Sequence, residues 1–83
     1  MIKRKVLQYT VFYTPEPEGG FTVTVPSLPG CVTYGKDLRI AKKMVEEAIR
    51  LYIESLQKRS EIIPTEENSF SSSVNLEFTS THA

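Results

Sequence analysis

The stretch that decides the fold is GGFTVTVPSLPGCVTYG, residues 19–35. Phe21, Val23 and Val25 alternate with threonines, and this period of two is typical of a strand with one buried face. The corner at 26–30 holds two prolines, which lack an N–H donor, and a glycine that accepts a positive φ. An extended run resumes at Cys31. The stretch therefore predicts two strands joined by a fixed corner.

Two further strands are predicted outside this stretch. Val6 to Thr14 is rich in β-branched and aromatic residues, and its odd-numbered positions from Leu7 to Tyr13 form the expected core face. The connector at 15–20 has two prolines before two glycines, which favours a hairpin. Residues 74–78 alternate apolar and polar side chains, which predicts a last strand.

A helix is predicted to begin after Asp37, a good N-cap, and to continue to about Gln57. At 100° per residue, one arc of apolar side chains should face the sheet. Its members are Leu38, Ala41, Val45, Ala48, Ile49, Tyr52 and Leu56. Ile40, Met44 and Leu51 lie on a flank of this arc. They either tuck under the chain that follows the helix or form a self-association surface.

The resulting order is β-β-β-α-β, an α+β fold with an antiparallel meander plus a last strand and one long helix packed on one sheet face. We expect one domain over residues 1–79 and a disordered tail at 80–83. A separate DNA-binding domain is not expected, since little chain remains after the last strand.

Size and charge restrict the function. A chain of 83 residues is near the size at which a single core is only marginally sufficient, so we expect a homo-oligomer, a dimer or a tetramer. Ten basic and ten acidic residues cancel. This balance argues against a protein that binds nucleic acid mainly by neutralising phosphates.

The single cysteine cannot form an internal disulfide, and the sequence begins without an apolar secretory segment. Apolar runs are far shorter than the roughly 20 residues that span a bilayer. We therefore expect a cytoplasmic protein with no membrane association. One cysteine and one histidine, Cys31 and His82, cannot supply four zinc ligands, and we expect no metal or other cofactor.

The sequence offers no evident catalytic site. Cys31 is better explained as a half-buried strand residue than as a nucleophile, because the only histidine lies in the predicted tail. Glu46 and Glu47 lie in the helix among lysines and an arginine, which favours solvated ion pairs over acid–base catalysis. The glycines lack the loop-to-helix context of a phosphate site. We expect a protein that is not an enzyme, and a small hydrolase remains only a weak alternative.

Residues 20–35, GFTVTVPSLPGCVTYG, resemble the HicB-like antitoxin family. The resemblance covers roughly residues 6–56 and includes apolar positions of the predicted helix, namely Leu38, Ala41, Ala48, Ile49, Tyr52 and Ile53. Lys36-Asp37 replaces the Asp-Ser/Thr pair expected at the helix start, and Asp37 as N-cap makes this change tolerable. The resemblance implies a partial RNase H-like fold in a short form of the family.

A working RNase H site gathers carboxylates around metal ions, one of them from the first strand. Residues 6–14 contain no Asp or Glu, so this fold is not expected to act as a nuclease here. The resemblance implies instead an antitoxin of a type II toxin-antitoxin system, which binds and occludes a HicA-like mRNA-cleaving toxin. Phe21, Tyr34 and Gly35, with nearby strand-edge backbone, are the candidate partner-binding residues. Ile40, Met44 and Leu51 are the candidates for self-association.

The alternative is a non-catalytic nucleic-acid-binding module of vestigial RNase H-like fold. It would use the basic run Lys3-Arg4-Lys5 and aromatic side chains of the strands. The absence of a C-terminal module makes direct DNA binding the less favoured interpretation.

Overall fold

The computed structural model describes residues 6–81, which form three strands and one helix in the order β-β-β-α. The elements are β1 (Phe12–Pro15), β2 (Phe21–Thr24), β3 (Val32–Gly35) and α1 (Leu38–Lys58). The α+β arrangement predicted from the sequence is confirmed. Kinship with RNase H stays a prediction.

The sheet is an antiparallel meander of order β1-β2-β3. Tyr13 lies opposite Val23, and Val23 lies opposite Thr33. Because directly opposed residues share a face, these three side chains lie on one side of the sheet. The helix packs on that side, mainly against β3 and β2.

The corner between β2 and β3 contributes to the core. The N–H of Val25 donates to the carbonyl of Cys31 at 3.1 Å, and the N–H of Cys31 donates to the carbonyl of Leu28 at 2.9 Å. These hydrogen bonds turn the Leu28 side chain inward, where it is fully buried. Gly30 adopts a φ of +82°, a conformation that other residues rarely accept. The corner, which contains the two prolines, thus places the Leu28 side chain at one end of the core.

The helix begins as predicted. The Asp37 carboxylate accepts a hydrogen bond from the N–H of Ile40 at 2.8 Å, which satisfies one free donor of the first turn. Ala41 and Val45 are buried in the core shared with the sheet, Leu56 is also buried, and the other members of the predicted arc are partly buried except Leu38. Leu38 is the first residue of the helix, and it is 47% exposed.

The first strand is shorter than predicted. The interpretation of Val6 to Thr14 as one strand is wrong at its start, because β1 begins only at Phe12. Phe12 pairs with Thr24, and β2 then turns into the corner at Pro26. Residues 6–11 therefore extend past the end of β2 and have no ladder partner among the described residues.

The last strand predicted at 74–78 is not formed. Val74, Leu76 and Phe78 are 78%, 81% and 85% exposed, and no described strand pairs with them. Alternation alone does not make a strand, because the backbone groups of an isolated extended segment remain bonded to water. The last strand of the predicted β-β-β-α-β order is therefore wrong for the described chain.

The chain after the helix is tied to the end of the sheet. The Tyr9 hydroxyl donates to the carbonyl of Pro64 at 2.6 Å. The Glu66 carboxylate accepts from the N–H of Thr10 at 2.9 Å and from the hydroxyl of Ser27 at 2.7 Å. Because β2 leaves at Pro26, Glu66 supplies the acceptor that Thr10 would otherwise lack. We call these contacts the Glu66 clamp.

Candidate partner-binding surface

Among residues 6–81, no helix packs on one face of the sheet, and we call this face the open face. The register places on it alternate residues of the three strands: Phe12, Thr14, Thr22, Thr24, Val32 and Tyr34. Phe12, Val32 and Tyr34 are 53%, 58% and 51% exposed. The threonine hydroxyls between them can donate and accept hydrogen bonds. The open face therefore combines apolar anchors with polar groups, as protein interfaces do.

Tyr34 is exposed but held in place. Its hydroxyl donates to the carbonyl of Gly19 at 2.9 Å. Its ring lies so close to Gly20 that a Cβ added there would overlap the phenol, and Gly20 also has a φ of +79°. A ring that is fixed before binding loses little conformational entropy when a partner covers it. Tyr34 is thus suited to act as an anchor.

Phe21 and Gly35, which were grouped with Tyr34 from the sequence, lie on the opposite face. Phe21 packs against the buried core. Gly35 is buried, and a Cβ at this position would overlap the backbone of Ala41 in the helix. The structure therefore separates the three residues and gives Gly35 a packing role of its own. A role for the three in partner contact stays a prediction.

The free edge of β3 offers backbone groups to a partner. The hydrogen bond from Val25 to Cys31 fixes which residues of β3 bond to β2, since bonded pairs alternate along an antiparallel ladder. By this alternation the N–H and C=O groups of Val32 and Tyr34 point away from β2. The same two residues place their side chains on the open face.

The described residues show no grouping of His, Cys, Asp or Glu that could hold a metal ion. Cys31 is buried, and this burial raises the pKa of its thiol. A raised pKa disfavours the thiolate, which is the nucleophilic form. Cys31 therefore packs in the core and is poorly suited to attack a substrate.

Some sequence predictions fall on residues outside the described range. His82 and the basic run at 3–5 are among them. Between residues 6 and 81, no helix is both long and apolar enough to cross a bilayer.

The model of the family described as "HicB_like antitoxin of bacterial toxin-antitoxin system" matches residues 9–81. The chain belongs to the HicB-like antitoxin family. The match extends from β1 through the helix to the exposed segment at 74–78. It also includes every residue of the open face.

Relatives of this HicB-like chain occur in archaea and in a cyanobacterium. A UPF0150 protein of Thermoplasma acidophilum is 50% identical over 58 residues, which cover 70% of this chain and 84% of the relative. A UPF0150 protein of Synechocystis is 36% identical over 64 residues, 77% of this chain and 81% of the relative. A UPF0150 protein of Archaeoglobus fulgidus is 40% identical over 48 residues, 58% of this chain and 70% of the relative.

Proposed function

We propose that this chain is the antitoxin of a type II toxin-antitoxin pair and that it neutralises a HicA-like, mRNA-cleaving toxin by covering the toxin's active surface. The observation that carries the proposal is the match of the antitoxin family over residues 9–81. Steric coverage requires no catalysis by this chain. We place the function in the cytoplasm, where mRNA is available to the toxin.

The open face is the surface that we assign to the toxin. Its apolar residues Phe12, Val32 and Tyr34 are about half exposed, so a partner with a flat surface could bury all three. Aromatic residues in the centre of an interface often carry much of the binding energy. Tyr34 therefore supplies the main anchor, and Phe12 and Val32 extend the contact across the sheet.

The edge of β3 supports the same assignment. An edge strand with free backbone groups can accept an additional strand from a partner, with backbone hydrogen bonds giving affinity and side chains giving specificity. Val32 and Tyr34 present both kinds of contact at once, so a toxin bound at this corner would engage the edge and the open face together.

Self-association belongs to this proposal as a separate contact. Along α1, Met44 and Leu51 are 45% and 58% exposed, and Ile40 is partly buried. The described chain after the helix does not cover Met44 or Leu51. We assign this stripe to contact between copies, which leaves the open face available to the toxin.

Co-expression with the toxin encoded beside this chain tests the proposal. We expect growth to be restored and the two proteins to co-purify. The Tyr34→Ala variant should weaken toxin binding by about tenfold or more, the loss typical of a central aromatic anchor. Titration calorimetry measures the affinity. Ile62→Ala is the matched control, since Ile62 is 91% exposed but lies outside the open face.

Two outcomes would overturn the proposal. Continued growth arrest without co-purification would remove the antitoxin function. Restored growth with unchanged affinity for Tyr34→Ala and for Phe12→Ala would keep the function and remove the open face from the interface. Binding of an oligonucleotide by this chain alone, weakened by salt, would instead favour the nucleic-acid-binding alternative.

A further inference from the structure

The segment at 70–79, which we call the arm, leaves the body of the protein. The described chain has principal extents of 63 × 32 × 20 Å and a radius of gyration of 16.9 Å. A compact chain of this length has a radius of about 12 Å. Phe70 is 96% exposed, and the apolar residues at 74, 76 and 78 are nearly as exposed. The arm thus carries four large apolar side chains that the single chain does not cover.

Residues 74–79 of the arm have the pattern of a strand but pair with none of the strands formed by residues 6–81. Val74, Leu76 and Phe78 fall on one side of an extended segment, and Asn75, Glu77 and Thr79 fall on the other. A strand of this kind becomes stable when its backbone groups join a ladder and its apolar side is covered. The family match includes the arm.

The same chain carries an unfilled groove of about 640 Å³ beside an unpaired segment. Leu7 and Tyr9 line one side of the groove, and Ile49 and Ile53 of the helix line the other. The rest of the lining is polar or charged, namely Glu46, Arg50, Glu54 and Gln57. Residues 6–11 lie in no ladder because β2 ends at the corner. Their apolar side chains alternate with the same period of two as those of the arm. The groove therefore offers what the arm lacks, an edge for its backbone and a cover for its apolar side.

We propose that two copies of this chain exchange arms. Residues 74–78 of one copy add a strand beside residues 6–11 of the other, and Val74, Leu76 and Phe78 fill that copy's groove. Because each copy contributes one arm and one groove, a twofold arrangement satisfies both and leaves neither open.

The Glu66 clamp fixes where each arm begins. It fixes residues 64–66 at the end of the sheet, beside Tyr9 and Thr10. Each arm therefore starts close to Tyr9, which lines the groove of its own copy, and then leaves the body of the protein. The arrangement is independent of the toxin, and it differs from contact through Met44 and Leu51 on the helix.

The first experiment measures mass and affinity by sedimentation at several concentrations. We expect the wild-type chain to have the mass of two 9.4-kDa chains or of a multiple of that pair. Leu76→Asp should weaken self-association by about tenfold or more, because it removes an apolar side chain from contact with Leu7, Ile49 and Ile53 and adds a carboxylate there. Asn75→Asp adds the same charge on the opposite side of the arm and is the matched control. Leu76 is 81% exposed in the single chain, so its replacement does not unfold the monomer.

The second experiment identifies the partner of the arm. Leu76→Cys and Ile53→Cys are made in separate chains, which are then mixed and oxidised. We expect a disulfide between the two chains, whereas Glu77→Cys mixed with Ile53→Cys should give much less. The native Cys31 is buried, and each single variant oxidised alone controls for its reaction.

The competing occupants give distinct results. If the arm folds back onto its own groove, a chain that carries both cysteines forms an internal disulfide and the mixture forms none. If the arm binds only the toxin, the mixture stays reduced until toxin is added. Either result would overturn arm exchange and leave the proposed antitoxin function unaffected. A wild-type mass of one chain at about 100 µM would do the same.

Discussion

The two faces of the sheet differ in what covers them. On the helix side, Val23 and Val25 are at most 2% exposed, and the corner adds the fully buried Leu28. On the open face, Phe12 and Val32 remain more than half exposed. Successive residues of one strand thus serve two purposes, because the helix side stabilises the fold and the open face is available to a partner. Substitutions in neighbouring positions should separate the two.

The largest effect is expected at Leu28. Leu28→Ala removes a fully buried side chain from the end of the core, and substitutions of this kind cost about 2–5 kcal/mol of unfolding free energy. Val32→Ala, on the open face, should cost less than about 1 kcal/mol. Urea unfolding at one fixed protein concentration measures both, since association also changes the apparent stability. Equal losses at the two positions would contradict the division between the faces.

The next effect is expected at two adjacent residues of β3. Gly35→Ala forces a methyl group against the backbone of Ala41, and overpacking of this kind costs about 1–3 kcal/mol. The Tyr34 side chain lies on the other face. Tyr34→Ala should therefore lose affinity for the toxin with a smaller loss of stability. Thermal unfolding and calorimetry together measure the two quantities. A stable Gly35→Ala variant would show that the helix can move away from the sheet at no cost.

The smallest effect is expected at Glu66, where it depends on pH. Hydrogen bonds from the Thr10 N–H, the Ser27 hydroxyl and the Thr10 hydroxyl lower the pKa of this carboxyl in the folded chain. Its contribution to stability is therefore fully present above the pKa of an unfolded glutamate, about 4.3, and is lost as the pH falls through the lower folded value. The stability difference between the wild type and Glu66→Gln should shrink below about pH 4.

Urea midpoints at pH 7 and pH 3 test this prediction. Glu47→Gln, on the exposed side of the helix, is the control for the loss of one carboxylate. A difference between the wild type and Glu66→Gln that stays constant over this range would show that the Glu66 clamp does not stabilise the folded chain through its charge.

Much of the fold follows from local sequence pattern. The alternation in 21–25, the corner at 26–30 and the N-cap at Asp37 each specify their own geometry, and the structure confirms the strand, the turn and the helix start. Strand length does not follow in this way. The start of β1 depends on where β2 ends, and the pattern at 74–78 becomes a strand only if another segment supplies a ladder.

The candidate surface was only partly predictable. Tyr34 was selected from the sequence, but Phe21 and Gly35 were grouped with it because they are close along the motif. The register shows that the residues opposite Tyr34 and two positions away lie on its face, which brings in Phe12 and Val32. Val32 lies two positions before Tyr34 in the same strand, so the alternation of side chains could have identified it from the sequence. Phe12 required the pairing of β1 with β2, a contact between residues twelve positions apart.

The contact between Tyr34 and Gly20 has a consequence for how this family can vary. A side chain at position 20 would displace the ring at position 34, and the positive φ of Gly20 already disfavours other residues. The two positions should therefore change together during evolution. Where relatives keep an aromatic residue at 34, position 20 should remain glycine, and where 34 becomes small, position 20 should accept asparagine or aspartate, which tolerate positive φ better than other residues.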